Sequence, residues 1–289
     1  MIVPHFNLSW SALNNFDRCP YLFYLFHIKK IALKEEYQNL PIRLGRYFSS
    51  LLLKADKEIY FSNYEIGNRE LCKALCDKIT TEKMLPSGLK LEQRFCHTVI
   101  LDTVTLEHWD MSDWETSPPL FKGFLDAMGS DFFIEFKYTS RTDRYLNEWT
   151  ALRQLEQYFF IAPENIVKGY MLPVTTPQAR QGKEEGLDEF VERVKKDIDK
   201  RPGHYFPHYD SNKMPSWGLC FYRTEFEDRF EAFKKKLTWT ISEIASCLKA
   251  HYFPQRGPMA CYIPGECDFI DICSTGNINE EIYERRKWT

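Results

Sequence analysis

Four cysteines, two acids and a lysine have the types and spacing that chemistry needs in this chain. Cys261, Cys267 and Cys273 recur at equal intervals near the C-terminus, and Cys19 stands in Phe16-Asp17-Arg18-Cys19-Pro20 near the other end. Thiolates are soft ligands that select zinc or iron-sulfur clusters, so these four read as the ligands of one metal centre. Such a centre would tie the two ends of the chain together. The alternative from composition is buried free thiols, since cysteine packs as a small hydrophobe. The second group is Asp126 with Glu135 and Lys137. In a strand over 132–138 the side chains alternate, so Phe132, Ile134, Phe136 and Tyr138 share one face and Phe133, Glu135 and Lys137 the other. If Ala127 pairs with Phe132 across a four-residue turn, Asp126 pairs with Phe133 and lies diagonal to Glu135 on the same face. Two carboxylates and the backbone carbonyl of Phe136 are hard oxygen donors suited to Mg2+ or Mn2+. Lys137 is then placed to orient or deprotonate a water, which is the chemistry of phosphodiester hydrolysis. The competing reading is an ordinary ion pair on a solvated hairpin.

At 289 residues the chain buries enough apolar surface to fold without covalent staples. Nine cysteines is an odd number, no signal segment is visible at the start, and no uncharged apolar run approaches a membrane span. The expectation is a reducing intracellular setting, the cytoplasm, with no membrane partner. A net charge of -3 does not mark the whole molecule as a nucleic-acid binder. Local charge can still do so: Arg141, Arg144 and Arg153 gather near Lys137 as candidate phosphate contacts, with ordinary surface charge as the other reading. Lys195, Lys196, Lys200 and Arg201, and the run Lys234-Lys235-Lys236, read instead as solvated helix faces.

The elements that must position these groups follow from periodicity and capping. Ser9 or Ser11 opens a helix that breaks near Pro20, beside Cys19. Helices are expected over about 42–57 and 65–84, the latter with Cys72 and Cys76 on its core face. Alternation from Leu91 reads as a strand pair, the second strand carrying Val104, Leu106 and His108. Strands over 120–126 and 132–138 form a hairpin, a helix covers about 146–160, and a strand runs from Ile166 to Leu172. Helices over 188–200 and 225–249 complete the body, and Phe253 onward reads as loop. No repeat or linker is evident.

Gly123-Phe124-Leu125-Asp126, Glu135-Phe136-Lys137 and Gln154-Leu155-Glu156-Gln157-Tyr158 resemble the consecutive motifs of RecB-like nucleases of the PD-(D/E)xK superfamily. Ser9-Trp10-Ser11-Ala12-Leu13, Phe16-Asp17-Arg18-Cys19-Pro20 and the Cys261, Cys267, Cys273 triplet resemble its iron-sulfur members, which include the AddB nuclease domain, CRISPR-adaptation nucleases and phage relatives. The resemblance spans nearly the whole chain and is weakest over about 174–250. It implies an α/β, restriction-endonuclease-like core, a central mixed sheet flanked by helices. A single nuclease domain would cover 1–289, with the catalytic core at about 90–173 and helical, cluster-closing parts at 1–85 and 174–289. It further implies a 4Fe-4S cluster on Cys19, Cys261, Cys267 and Cys273, with zinc as the alternative, and Mg2+ or Mn2+ on Asp126, Glu135 and the Phe136 carbonyl. Gln154 and Tyr158 would orient substrate or Lys137. The implied activity is a metal-dependent deoxyribonuclease, an exonuclease on single strands or DNA ends, and a helicase, recombinase or CRISPR-adaptation partner would fit it. One position departs from the family: Ser49 stands where a metal-binding histidine is usual, so Glu92 is a candidate for added metal contact. That departure keeps open a catalytically weak DNA-binding or assembly subunit of the same fold, and a third reading is an interaction protein with structural zinc.

Overall fold

The computed structural model describes residues 7–52, 58–98, 120–147, 149–262 and 266–286. In chain order the first elements are β1 (Asn7–Leu8), α1 (Trp10–Arg18), α2 (Pro20–Phe23), β2 (Ile31–Leu33), α3 (Leu40–Leu52), α4 (Ile66–Thr81) and β3 (Lys90–Thr98). The middle holds β4 (Leu120–Met128), β5 (Phe132–Thr139), α5 (Thr142–Asn147), α6 (Trp149–Ile161) and β6 (Lys168–Thr175). Then come α7 (Leu187–Lys200), α8 (Pro202–Tyr205), β7 (Leu219–Tyr222), α9 (Glu227–Ala250), α10 (Met259–Tyr262), α11 (Ile270–Thr275) and β8 (Tyr283–Arg285). The chain divides into two compact units, each assembled from segments distant in sequence. One holds residues 1–37, 95–123 and 228–289, and the other 38–94 and 124–227. No helix among the described residues is long and apolar enough to cross a membrane.

The second unit is a mixed sheet between helices. Its β4 and β5 run antiparallel, β5 and β6 parallel, and β6 and β7 antiparallel, with β3 beside β4. The alternation along β5 decides what covers each face. Ile134 and Phe136 turn toward a core with Leu44 and Phe48 of α3, Leu71 and Leu75 of α4 and Phe190 and Val194 of α7. Phe48 meets Phe136 edge-on and stacks on Tyr138 at 5.1 Å. On the opposite face Phe133 meets Phe159 and Tyr158 of α6. Cys72 and Cys76 are buried in the first of these cores, as the helical spacing of α4 predicts. The buried guanidinium of Arg43 bonds Glu65 and the Tyr60 and Gln38 carbonyls, which ties α3 to the segment that leads into α4.

In the first unit Ser9 caps α1 through Ala12 N, and Ala12, Leu13 and Phe16 are buried beneath it. The helix ends at Cys19, whose extended backbone is the conformation that Pro20 demands of its predecessor. Pro20 then opens α2, where its missing N–H costs nothing. Residues Tyr24–Ile28 form a π-helical turn, and β2 pairs antiparallel with β8.

Several expectations need correction. The hairpin register is Met128↔Phe133 and Ala127↔Ile134, two steps from the expected one. The reason is that Asp131 is claimed by β6: its carbonyl accepts from Val167 N and Lys168 N, and its carboxylate pairs with Lys168. Phe132 is thereby drawn into β5, opposite Lys168. A shift of two preserves the faces, so Asp126 and Glu135 still share one and now stand directly opposite. The helix expected over about 146–160 is α6, which starts at Trp149, and α5 over 142–147 is a further helix that precedes it. β6 begins at Lys168, because Ile166 N is taken by the Pro163 carbonyl and Val167 N by that of Asp131. The short strands β1, β2, β7 and β8 lack the length for a visible alternation, and the C-terminal segment expected as loop carries α10, α11 and β8. The strand expected around Val104, Leu106 and His108 lies outside the described residues.

Gly169 of β6 sits opposite Phe133, and a Cβ there would come within 2.6 Å of the Phe133 ring and 2.9 Å of the Phe159 ring. Gly169→Ala is expected to cost about 1–3 kcal/mol by overpacking, read as a lower denaturation midpoint with an unchanged m-value. His27, in the π-helical turn, stacks on Phe23 and lies against Phe26, with Asn15 Nδ2 3.1 Å from its Nε2. Burial, and then the charge of Lys30, lower its pKa from the ordinary value to about 4. The unfolded chain takes up this proton first, so stability is full above the unfolded histidine pKa and falls as pH drops from about 6.5 toward 4. His27→Phe should flatten the pH dependence of the unfolding midpoint in that window.

Candidate functional site

Asp126 enters from β4, Glu135 and Lys137 from β5, and Gln154 and Tyr158 from α6, all within the second unit. The β4–β5 ladder covers Met128 and Ala127, and one step on the Phe136 N–H is taken at 2.8 Å by Asp126 Oδ2. A strand residue directs its N–H and its carbonyl to the same edge, so the Phe136 carbonyl faces the Asp126 side as well. Glu135 is 4% exposed. Its Oε1 accepts from Lys137 Nζ and, at 3.0 Å, from Gln154 Nε2. Gln154 Nε2 also lies 2.7 Å from the Tyr158 hydroxyl oxygen, to which it donates. Gln154 and Tyr158 are one helical turn apart, so both reach the same side of α6. Glu135 Oε2 is buried and has no hydrogen-bond partner among the described residues.

The electrostatics are those of a pair of acids short of positive charge. Burial first, and the Glu135 carboxylate second, push the Asp126 pKa up to about 8 against the opposing pull of Lys137 and the Phe136 N–H. Burial works to lower the Lys137 pKa, and Glu135 and Asp126 outweigh it, so the ammonium is held above its ordinary range. Tyr158 is raised by burial and by both carboxylates, which keeps its hydroxyl neutral. Sequence spacing gives no hint of Tyr145, whose ring centroid lies 5.8 Å from Lys137 Nζ. It is brought there by α5, a short helix that begins outside the bounds of the expected one.

A divalent cation fits this donor set. Glu135 Oε2 is an orphaned buried acceptor, Asp126 faces it, the Phe136 carbonyl points to the same edge, and one added positive charge relieves the repulsion. Among the described residues no group of three or more His, Cys, Asp or Glu is gathered to hold a metal, so carbonyl and water oxygens must complete the shell. Glu92 lies on β3 with its side chain outside the described residues. Ser49 is half-buried on α3, the helix packed on the sheet face opposite Glu135. Arg141 and Arg153 are exposed, and Arg144 is half-buried on α5.

Cys19, Cys261, Cys267 and Cys273 lie in the first unit. The Cys273 pKa is pushed up to about 11, first by burial and then by the charges of Cys267, Cys19 and Cys261, so Cys273 is within electrostatic reach of the other three. Their sulfurs are not gathered into a ligand geometry. The donor chemistry fits a thiolate-bound metal, whereas the closed four-sulfur arrangement is not shown. The protein holds this region by other means, which the cysteine spacing does not reveal. Arg18 donates to the Ala260 carbonyl at 2.8 Å and the Cys261 carbonyl at 3.3 Å. Cys267 N bonds the Cys261 carbonyl at 2.7 Å. Cys19 and Cys267 pack on a cluster of Leu22, Leu25, Ile31, Phe269, Ile272 and Tyr283.

No model of a known protein family matches the chain, and no curated protein matches it. The site therefore rests on its own geometry. Arg18→Ala removes two charge-assisted hydrogen bonds and is expected to cost about 1.5–3 kcal/mol or more. Limited proteolysis should then cut near Ala260 before the rest of the chain unfolds.

Proposed function

We propose that this chain is a divalent-metal-dependent deoxyribonuclease of the RecB-like, PD-(D/E)xK type, acting on single strands or DNA ends. The observation that carries the reading is the buried, unpartnered Glu135 Oε2 directly opposite Asp126, with Lys137 and Gln154 holding the other oxygen of the same carboxylate. A scaffold gains nothing from a buried and a half-buried acid set face to face. A cation site does.

Bound Mg2+ or Mn2+ would supply charge for the phosphoryl oxygens and lower the pKa of a water. The residues of the chain do the positioning. Gln154 and Lys137 fix Glu135 in one rotamer, the Phe136 N–H fixes Asp126, and the Lys137 ammonium sits where it can orient a water and offset charge developing on the phosphate. Hydrolysis adds the water oxygen to phosphorus, breaks one P–O ester bond and passes a proton to the departing oxygen. Arg141, Arg144 and Arg153 are assigned to the DNA backbone. The cysteine set is assigned a 4Fe-4S cluster, with zinc as its competitor, in a structural role. A broad absorption band near about 400 nm in anaerobically purified protein, from thiolate-to-iron charge transfer, would separate cluster from zinc.

The test joins activity to a second readout. Mn2+ at about a hundredfold over its dissociation constant should stabilise the parent by about 2.7 kcal/mol, seen as a raised unfolding midpoint. Glu135→Gln and Asp126→Asn should lose that shift together with at least about a hundredfold of DNA cleavage. A parent that binds Mn2+ and DNA without cutting would favour the catalytically weak binding subunit to which Ser49 points.

A further inference from the structure

On the second unit, away from the carboxylates in sequence, α7, α8 and the segment after β6 line an open hollow of about 440 Å³. Its lining includes Arg193, Lys196, Asp197, Lys200, Arg201 and Tyr205. In sequence these lysines resemble a solvated helix face, and the tertiary arrangement gives them a shared concavity instead. Along α7 the spacing of 193, 196, 197 and 200 is a single stripe, next to the buried row of Phe190, Val194 and Ile198, of which Val194 also lines the hollow. The one lining acid, Asp197, is already occupied: Arg201 donates to both of its oxygens, and Tyr205 OH donates to Oδ2 at 2.5 Å. Arg193 is held by Glu185, which fixes its direction. Lys196 and Lys200 are exposed and form no ion pair among the described residues. Positive charge is thus concentrated at one hollow of a chain whose net charge is -3.

We infer that this cavity is a phosphate-binding groove for a nucleic-acid backbone, separate from the candidate site of hydrolysis. Ammonium and guanidinium groups on a concave wall match phosphate oxygens. From Arg193 to Lys200 the stripe is about 10 Å long at 1.5 Å per residue, enough for more than one backbone phosphate. A free nucleotide offers the same oxygens and is the other source of this chemistry. The inference rests on the reading of DNA as the substrate.

Binding of a fluorescent single-stranded oligonucleotide, measured by anisotropy in EDTA over a salt series, tests it. In Lys196→Gln/Lys200→Gln the affinity should fall about tenfold, and the slope of log K against log salt should shrink by about 1.4, two lost contacts at about 0.7 each. Lys195→Gln, which breaks a pair with Glu192 but does not line the cavity, should match the parent. Unchanged unfolding midpoints would confirm that the fold is intact. Unchanged affinity and slope in the double variant overturn the groove while leaving the nuclease reading standing if the parent still cuts. A parent that neither binds nor cuts DNA overturns both. If ADP or inorganic phosphate binds in a lysine-dependent way while the oligonucleotide does not depend on the lysines, the backbone assignment is overturned in favour of a small phosphate ligand.

Discussion

Asp126 and Glu135 face each other across β4 and β5 on a side of the sheet that α6 covers, and much of the surrounding structure serves to hold them there. Bringing two carboxylates out of water costs several kcal/mol unless each is hydrogen-bonded or paired. Here the cost is met unevenly: Asp126 takes a backbone N–H that the ladder would otherwise use, Glu135 takes Lys137 and Gln154, and one oxygen is left over. An arrangement so nearly balanced, and short by one positive charge, suits a divalent cation. The packing of Phe133 on Phe159 and the bare Cα of Gly169 let α6 approach closely enough to deliver Gln154.

The cysteine region shows a different economy. A thiolate-bound metal would fasten the N-terminal and C-terminal segments, yet fastening does not wait for it. The β2–β8 pair, the Arg18 guanidinium on two carbonyls and the apolar cluster under Cys19 and Cys267 already join residues more than two hundred positions apart. Long loops cost little more to close than moderate ones, so modest contacts suffice. A metal there would rigidify a closure that the chain already makes.

Much of the framework is legible in the sequence. Ser9 caps the first helix, Pro20 breaks it, and the alternation along 132–138 separates Glu135 and Lys137 from Ile134 and Phe136. The pairing of Cys72 and Cys76 with core neighbours follows from the helical period alone. The short strands are not legible, because two to four residues carry too little alternation to distinguish them from loop. The six-residue helix α5 is too short to show a helical period, and Tyr145, which it carries, is missed with it.

Local chemistry therefore determined which residues share a face, since that depends only on the two-residue period of a strand and the turn of a helix. The hairpin register, the orphaned oxygen of Glu135 and the gathering of α7 lysines around one hollow were decided by tertiary structure. Each depends on partners distant in sequence: Asp131 is drawn to β6, Gln154 is delivered by α6, and the segment after β6 closes over α7. Spacing along a chain carries no record of such contacts, because they are settled by which surfaces exclude water together.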